Sequence, residues 1–143
     1  MSPFRFEILH QSRKSRARVG RIHTPHGIID TPNFVAVGTN ATLKALDTVS
    51  ADALDLQLMF CNTYHLMLQP GSQVIKNAGG LHQFMSRKMP LITDSGGFQV
   101  FSLMYGGVES ELKSSGQKKH DNAVLKINED GVIFRSYRNG DKI

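Results

Sequence analysis

The chain has 143 residues, of which 40% are hydrophobic and 20% charged, which is typical of a globular protein with about one domain. A net charge of +5 and a pI of about 9.6 favour an anionic partner without identifying it. The sequence contains nothing close to the roughly 18 apolar residues of a membrane span, and its first twenty residues lack the apolar core of a signal peptide. We therefore expect a cytoplasmic protein that does not enter a membrane. The single cysteine, Cys61, excludes an internal disulfide and is expected to pack as a small core residue.

The first predicted region, residues 1–41, has the pattern of an antiparallel β-sheet. Residues 4–10 alternate loosely between apolar and polar, and residues 16–24 follow as a second extended segment. Residues 25–27 form a turn signal, and an apolar run over 28–39 is broken by Pro32. This succession predicts a β-meander.

Residues 42–105 change to a repeated order of helix and then strand. Thr48 or Ser50 is a candidate helix N-cap ahead of the short apolar run 55–61. Ser72 is a candidate N-cap for a second helix that stops at Gly79 and Gly80, and residues 89–93 follow as a predicted buried strand. Two such units predict parallel strands joined by helical crossovers, hence an α/β fold.

Residues 106–143 combine an exposed loop with a β-hairpin. The segment 106–123 is polar and rich in Ser, Gly and Lys. Residues 128–131 are a hairpin signal between two apolar runs, and Asn139-Gly140 is a second one near the end of the chain. Because a strand that has only begun leaves an unfinished sheet, we expect these 143 residues to be the N-terminal portion of one longer domain.

The stretch PLITDSGGFQVFS, residues 90–102, carries the strongest chemical signal. If its apolar start is a parallel strand, Asp94 lies at the carboxyl end, where α/β folds hold their ligands. Asp-Ser-Gly-Gly is also an Asx-turn sequence in which Asp94 caps its own backbone, and the local pattern alone favours this turn.

A flat polar ligand would suit the residues that follow Asp94. Gly96 and Gly97 allow backbone N–H groups to approach such a ligand closely and can adopt conformations closed to other residues. Phe98 can stack on it, while Ser95 or Gln99 can bind its polar edge. A heterocyclic base offers the required donors and acceptors.

Two other features have two interpretations each, and a third, the set of histidines, gives no signal. The basic run RKSRAR, residues 13–18, can bind phosphate or can protect a solvated β edge. Asn62 and His65 are either site residues or residues that satisfy the end of a buried strand. The six histidines are scattered and have no metal-ligand spacing.

Four segments, in order, closely resemble the tRNA-guanine transglycosylase (queuine tRNA-ribosyltransferase) family. They are VAVGTNATLKAL (35–46), CNTYHLMLQPG (61–71), GGLHQFM (79–85) and LITDSGGFQVFS (91–102). The resemblance covers nearly the whole chain, and the Lys-rich loop 113–123 is similar to an insertion that many members lack. It implies a TIM-type (β/α)₈ barrel preceded by an antiparallel sheet and truncated here.

The resemblance also implies a reaction and a site. Members exchange guanine at the wobble position of tRNAs with GUN anticodons, those for Asp, Asn, His and Tyr, for queuine or a 7-deazaguanine precursor. Asp94 matches the acid that binds the base and acts as general acid/base. The base pocket is matched by Ser95, Gly96, Gly97 and Phe98, and positions near the ribose by Val37, Phe60 and Asn62.

Several family features have no match in these residues. The resemblance places the aspartate nucleophile, the RNA-binding loops and the Cys₃His zinc site after the region that matches residue 143, and it implies a dimer for the full-length protein. We therefore expect no metal or cofactor in this chain, one structural zinc in a full-length protein, and no activity from the chain alone. The alternatives are a non-catalytic tRNA-binding accessory subunit and an unrelated α/β-barrel enzyme, although the intact DSGGF motif argues against the first.

Overall fold

The computed structural model describes residues 4–104, 124–136 and 138–143. The chain divides into two compact units, Met1–Thr93 and Asp94–Ile143. Within the described ranges, no helix has both the length and the apolar character that crossing a membrane requires.

The first unit begins with a three-stranded antiparallel sheet, which confirms the predicted meander. Its strands are β1 (Arg5–Gln11), β2 (Arg18–Thr24) and β3 (Gly27–Thr31), in the order β1-β2-β3. The third strand ends directly before Pro32, which has no N–H to continue the ladder. An ion pair between Arg21 and Asp30, 2.7 Å apart, links β2 to β3.

A parallel sheet follows, as the repeated helix and strand pattern predicts. Its strands are β4 (Ala36–Val37), β5 (Met59–Cys61) and β6 (Leu91–Thr93), in the order β4-β5-β6. Between these strands run four short helices: α1 (Thr48–Asp52), α2 (Thr63–Leu68), α3 (Ser72–Asn77) and α4 (Leu81–Phe84).

The helix N-caps differ from the sequence predictions. The first helix is capped by Asp47, whose carboxylate accepts the Ser50 N–H at 2.7 Å, so that the predicted caps Thr48 and Ser50 are wrong. Ser72 is the first residue of α3 rather than its cap, a position taken by Gly71. Both helices still begin within one to three residues of the predicted start.

Only one face of the parallel sheet is covered by the described chain. Met59 and Cys61 are fully buried and pack with Leu66 of α2 and Met85. Ile92, predicted to lie in a buried strand, is instead 42% exposed. Its strand contributes to the core through Leu91, which packs against the same cluster. The prediction of a buried β6 was therefore half wrong, because burial on both faces needs a second covering layer.

The described part of the second unit contains one helix and one hairpin. Helix α5 (Gly97–Met104) is followed by β7 (Val124–Asn128) and β8 (Gly131–Phe134), which pair antiparallel around the predicted turn. A bridge between Arg135 and Lys142 closes the second predicted turn at Asn139-Gly140. The predicted loop 106–123 lies outside the described residues.

The described strands form three separate sheets of three, three and two strands and do not close a barrel. What the structure supports is the α/β order itself: an antiparallel sheet, then parallel strands with helical connections. The complete (β/α)₈ barrel and the domain boundaries after residues 41 and 105 stay predictions.

Candidate functional site

Strand register brings together two of the residues that the sequence singled out. Val37 and Phe60 are direct partners on adjacent parallel strands. Since side chains alternate along a strand, both lie on the face opposite Met59 and Cys61. That face is open: Val37 is 57% exposed, whereas Met59 is fully buried. An apolar wall is thus available to a ligand at this end of the sheet.

Asn62 follows the end of β5 and starts the next helix. It occupies the N-cap position of α2, and its carbonyl oxygen accepts the Leu66 N–H at 3.1 Å. The neighbouring His65 packs its ring edge-on against Tyr64, with 5.3 Å between the ring centroids. His65 therefore has a structural contact of its own, while Asn62 lies half-buried at the carboxyl end of a strand.

Asp94 is the first residue after β6, as the sequence predicts. Thr93 is the register partner of Cys61, so that Asp94 and Asn62 are each the next residue after paired strand ends. Asp94 is half-buried, and it opens the second compact unit. A carboxylate at the carboxyl end of a parallel strand is well placed for ligand binding or proton transfer.

The two glycines of the motif have different local roles. Gly96 is buried with a φ of +77°, a conformation that side chains rarely adopt. Gly97 has no such constraint and begins α5. Its N–H donates to the Ser95 hydroxyl at 3.4 Å, so Ser95 supplies this hydrogen bond of the turn.

Helix α5 carries the next two residues of interest. Phe98, in its first turn, is 65% exposed, an unusual state for a phenylalanine ring and one suited to stacking. The side-chain oxygen of Gln99 is shielded from solvent and has no hydrogen-bond partner among the described residues. The first turn of the helix that follows Asp94 thus carries an aromatic and an amide group.

The resemblance places the family's zinc site after residue 143, and the described residues supply no alternative set of zinc ligands. Cys61 is fully buried, its thiol contacts the Met85 sulfur at 3.8 Å, and burial raises its pKa, so the thiolate that zinc prefers is disfavoured. Nowhere in the described ranges do three His, Cys, Asp or Glu side chains cluster as metal ligands would.

Two side-chain contacts in the structure were not predicted from the sequence. The rings of His26 and His82 stack with centroids 3.7 Å apart. Burial, and next the charge of His26, lower the pKa of His82. Arg87, whose side chain is only 8% exposed, pairs with Asp52 at 2.5 Å and so fastens α1 to the segment after α4. Both contacts join residues distant in sequence, and no motif or residue spacing in the sequence indicates them.

Comparisons with known proteins agree with the resemblance. The family model described as queuine tRNA-ribosyltransferase matches residues 12–143. A queuine tRNA-ribosyltransferase of Protochlamydia amoebophila is 68% identical over all 143 residues, and one of Chlamydia trachomatis is 60% identical over 97% of the chain. Another, of Chlamydia caviae, is 57% identical over the same share. The chain spans 37% of the length of the first relative and 36% of the other two.

Proposed function

The chain belongs to the queuine tRNA-ribosyltransferase family, and from this membership we propose that it contributes the base-handling part of a tRNA base-exchange enzyme. The reaction replaces guanine at the wobble position of GUN-anticodon tRNAs, those for Asp, Asn, His and Tyr, with queuine or its 7-deazaguanine precursor. The names of the relatives support tRNA and queuine as substrates. The single observation that carries the proposal is the DSGGF motif directly after a parallel strand, with Asp94 at the strand's carboxyl end.

The proposed chemistry exchanges one glycosidic bond for another through two carboxylates. A nucleophilic carboxylate outside these 143 residues attacks C1′, and the bond from C1′ to guanine breaks. Asp94 gives a proton to the leaving guanine and then takes one from the entering base as that base displaces the carboxylate. Such proton transfer typically contributes ~10²- to 10⁴-fold to the rate.

The other predicted site residues bind and orient the substrate in this proposal. The exposed ring of Phe98 stacks on the base, Ser95 binds its polar edge, and Gly96 and Gly97 let the backbone approach it. Val37, Phe60 and Asn62 lie near the ribose. The base leaves its stack to reach such a pocket, at a cost of a few kcal/mol that stacking on an aromatic ring helps to offset.

We also propose that the 143-residue chain has no activity alone, because it lacks a match to the nucleophile. Purified chain is incubated with radiolabelled guanine and unmodified tRNA, and the label retained in tRNA is counted. We expect incorporation at background level. Robust incorporation would contradict this part of the proposal.

The role of Asp94 is tested in a chimaera, in which residues 1–143 are followed by the part of the Protochlamydia relative that this chain does not match. We expect Asp94→Asn to lower guanine exchange by at least ~10²-fold while tRNA affinity changes little, because the amide cannot transfer the proton. Asp55→Asn is the matched control: Asp55 is exposed, and its φ of +50° is one that asparagine tolerates. Unchanged exchange in Asp94→Asn would contradict the proton-transfer role and favour the interpretation of Asp94 as a turn cap.

Two properties of the complete protein belong to the same proposal. A cytoplasmic enzyme is expected from the single cysteine. A dimer is expected for the chimaera from the family resemblance, and its molar mass by light scattering tests this.

A further inference from the structure

The loop between β1 and β2 concentrates positive charge. This basic turn, residues 12–18, contains Arg13, Lys14, Arg16 and Arg18, all exposed. From residue 8 to residue 29 the chain has five Lys or Arg residues and three histidines but no acidic residue. The local excess of positive charge is therefore much larger than the overall composition suggests.

The basic turn is held in shape without using its charged groups. The Ser12 hydroxyl accepts N–H bonds from Lys14 at 3.1 Å and Ser15 at 3.2 Å. Ser15 in turn accepts the Ala17 N–H, and the Ser12 N–H donates to the Ala17 carbonyl at 2.9 Å. Hydroxyls and backbone thus fix the turn, and the cationic heads are left for other contacts.

None of the four cations forms an ion pair with a carboxylate in the part of the chain that the structure describes. Elsewhere in the same sheet, Arg21 pairs with Asp30 at 2.7 Å, and Glu7 lies within 4 Å of Arg5 and His23. The acids of this sheet therefore neutralise cations in the strands and none in the turn. Among the described residues, an anionic partner would therefore find no carboxylate to displace from these cations.

Protection of a sheet edge explains only part of this charge. Charged side chains on an edge strand oppose edge-to-edge aggregation, and β1 is an edge strand. Arg13, Lys14 and Arg16 lie outside the strand ladder, however, where no edge N–H or C=O needs protection. Three of the four cations are left without a structural role.

The basic turn also stands apart from the helices of its unit. The other end of the sheet contacts them: His26 stacks on His82, and the Asp30 N–H donates to the Gln57 side chain at 2.9 Å. The turn is at the opposite end of β2, a strand about 20 Å long. The described residues of this unit therefore leave the turn accessible to a large polyanion.

We infer that the basic turn is a binding surface for the phosphate backbone of tRNA outside the anticodon loop. This inference rests on the proposed function, which supplies RNA as the polyanion. Arg13, Lys14 and Arg16 each neutralise a phosphate and release counterions, so affinity falls with salt. The surface strengthens the binding of tRNA without touching the exchanged base.

The test compares two triple variants of the 143-residue chain with equal loss of charge. Arg13→Gln, Lys14→Gln and Arg16→Gln are combined in one, and the exposed Lys76→Gln, Lys88→Gln and Lys126→Gln in the control. Affinity for labelled tRNA is measured by fluorescence anisotropy between 50 and 200 mM KCl. We expect the basic-turn variant to bind roughly tenfold more weakly at 0.1 M salt, with a salt slope smaller by about 2, and the control to change little.

Four results would overturn the inference: no tRNA binding by the wild-type chain, equal losses in both triple variants, unchanged affinity, or an equal loss for the isolated anticodon stem-loop. If the basic-turn variant loses binding to vesicles of anionic lipid but keeps its binding to tRNA, the partner of the turn is a membrane surface instead. Circular dichroism checks that both variants keep the wild-type spectrum.

The same substitutions in the chimaera separate this inference from the proposed function. We expect a raised KM for tRNA with an unchanged kcat, since the turn binds RNA away from the reacting atoms. If Asp94→Asn retains exchange but the basic-turn variant loses tRNA affinity, the proposed role of Asp94 fails and the RNA surface stands. If exchange depends on Asp94 but the triple substitution leaves the KM for tRNA unchanged, the proposed role of Asp94 stands and the RNA surface fails.

Discussion

Gly96 and Gly97 are adjacent in the sequence but experience different backbone constraints. Gly96 is buried with a φ of +77°, directly before the first residue of α5. An L-residue in this left-handed region places its Cβ too close to the following carbonyl. The glycine at 96 is therefore needed for the turn itself, whatever ligand the turn presents.

We expect Gly96→Ala to lower the free energy of unfolding by about 1 kcal/mol, the usual penalty of left-handed backbone. Gly97→Ala is the matched control: its φ is ordinary, and its Cβ would lie 3.4 Å from the Ser95 hydroxyl, which is normal van der Waals contact. Urea unfolding of both variants, followed by circular dichroism, measures the difference. Equal destabilisation by the two substitutions would show that the positive φ is not what requires glycine.

At this residue scale, the sequence predicted the motif and the conformational freedom of its glycines, but not which glycine needs that freedom. Both glycines were expected to let a ligand approach and to adopt conformations closed to other residues, and the structure confirms the second expectation at Gly96 alone of the two. Asp-Ser-Gly-Gly predicted a turn capped by Asp94, which stays a prediction, and the structure adds a hydrogen bond from the Gly97 N–H to the Ser95 hydroxyl that the sequence did not predict. Which side chain captures a given N–H depends on rotamers, and these are not readable from residue order.

Among the elements, the stacked histidines join the β2–β3 turn to helix α4. His82 also makes a 3.1 Å hydrogen bond to the Met89 carbonyl, just ahead of β6. Burial, followed by the charge of His26, lowers the pKa of His82 from its ordinary value of 6.5, while the Met89 carbonyl acts in the opposite direction. Folding therefore favours the neutral imidazole.

We expect the unfolding free energy to fall as the pH is lowered through the window between 6.5 and the lower folded-state pKa. In this window the unfolded chain binds more protons than the folded one. The contribution of neutral His82 to the unfolding free energy is therefore fully present above pH 6.5 and is lost below the folded-state pKa. Urea unfolding from pH 5 to 8 measures this dependence. We expect His82→Gln to remove the contribution of His82 to this pH dependence. His10→Gln, at an exposed position on β1, is the control and leaves that contribution in place. An unaltered pH profile in His82→Gln would contradict the expectation.

The elements themselves were largely predictable, because each is encoded by nearby residues. Alternation gave the meander, Pro32 ended β3, and the glycines at 79 and 80 followed α3 as expected. Contacts between distant segments were not predictable: the His26 and His82 stack joins positions 56 apart, and the exposure of Ile92 depends on which layer covers the sheet. The periodicity of a local segment predicts its secondary structure but not which distant residues it will contact.

At the scale of the whole molecule, the described residues expose large apolar side chains. The buried core is small and centres on Met59 and Cys61, while many large apolar side chains stay exposed. Val37 and Ile92 belong to this exposed set and share the open face of the parallel sheet. In the barrel that the family implies, such a face is the packed interior, where side chains from neighbouring strands interlock.

We expect the 143-residue chain to bind the dye 1-anilinonaphthalene-8-sulfonate strongly and the chimaera to bind it much less per mole, because additional strands would cover the open face. The substitution Ile92→Thr has opposite consequences in the two proteins. In the isolated chain it removes exposed apolar surface, so dye fluorescence falls. In the chimaera the same side chain is buried, and exchanging it for a hydroxyl lowers the unfolding free energy by about 1 to 3 kcal/mol. Similar dye binding by both proteins, or no loss of stability in the chimaera, would mean that Ile92 does not face a barrel interior.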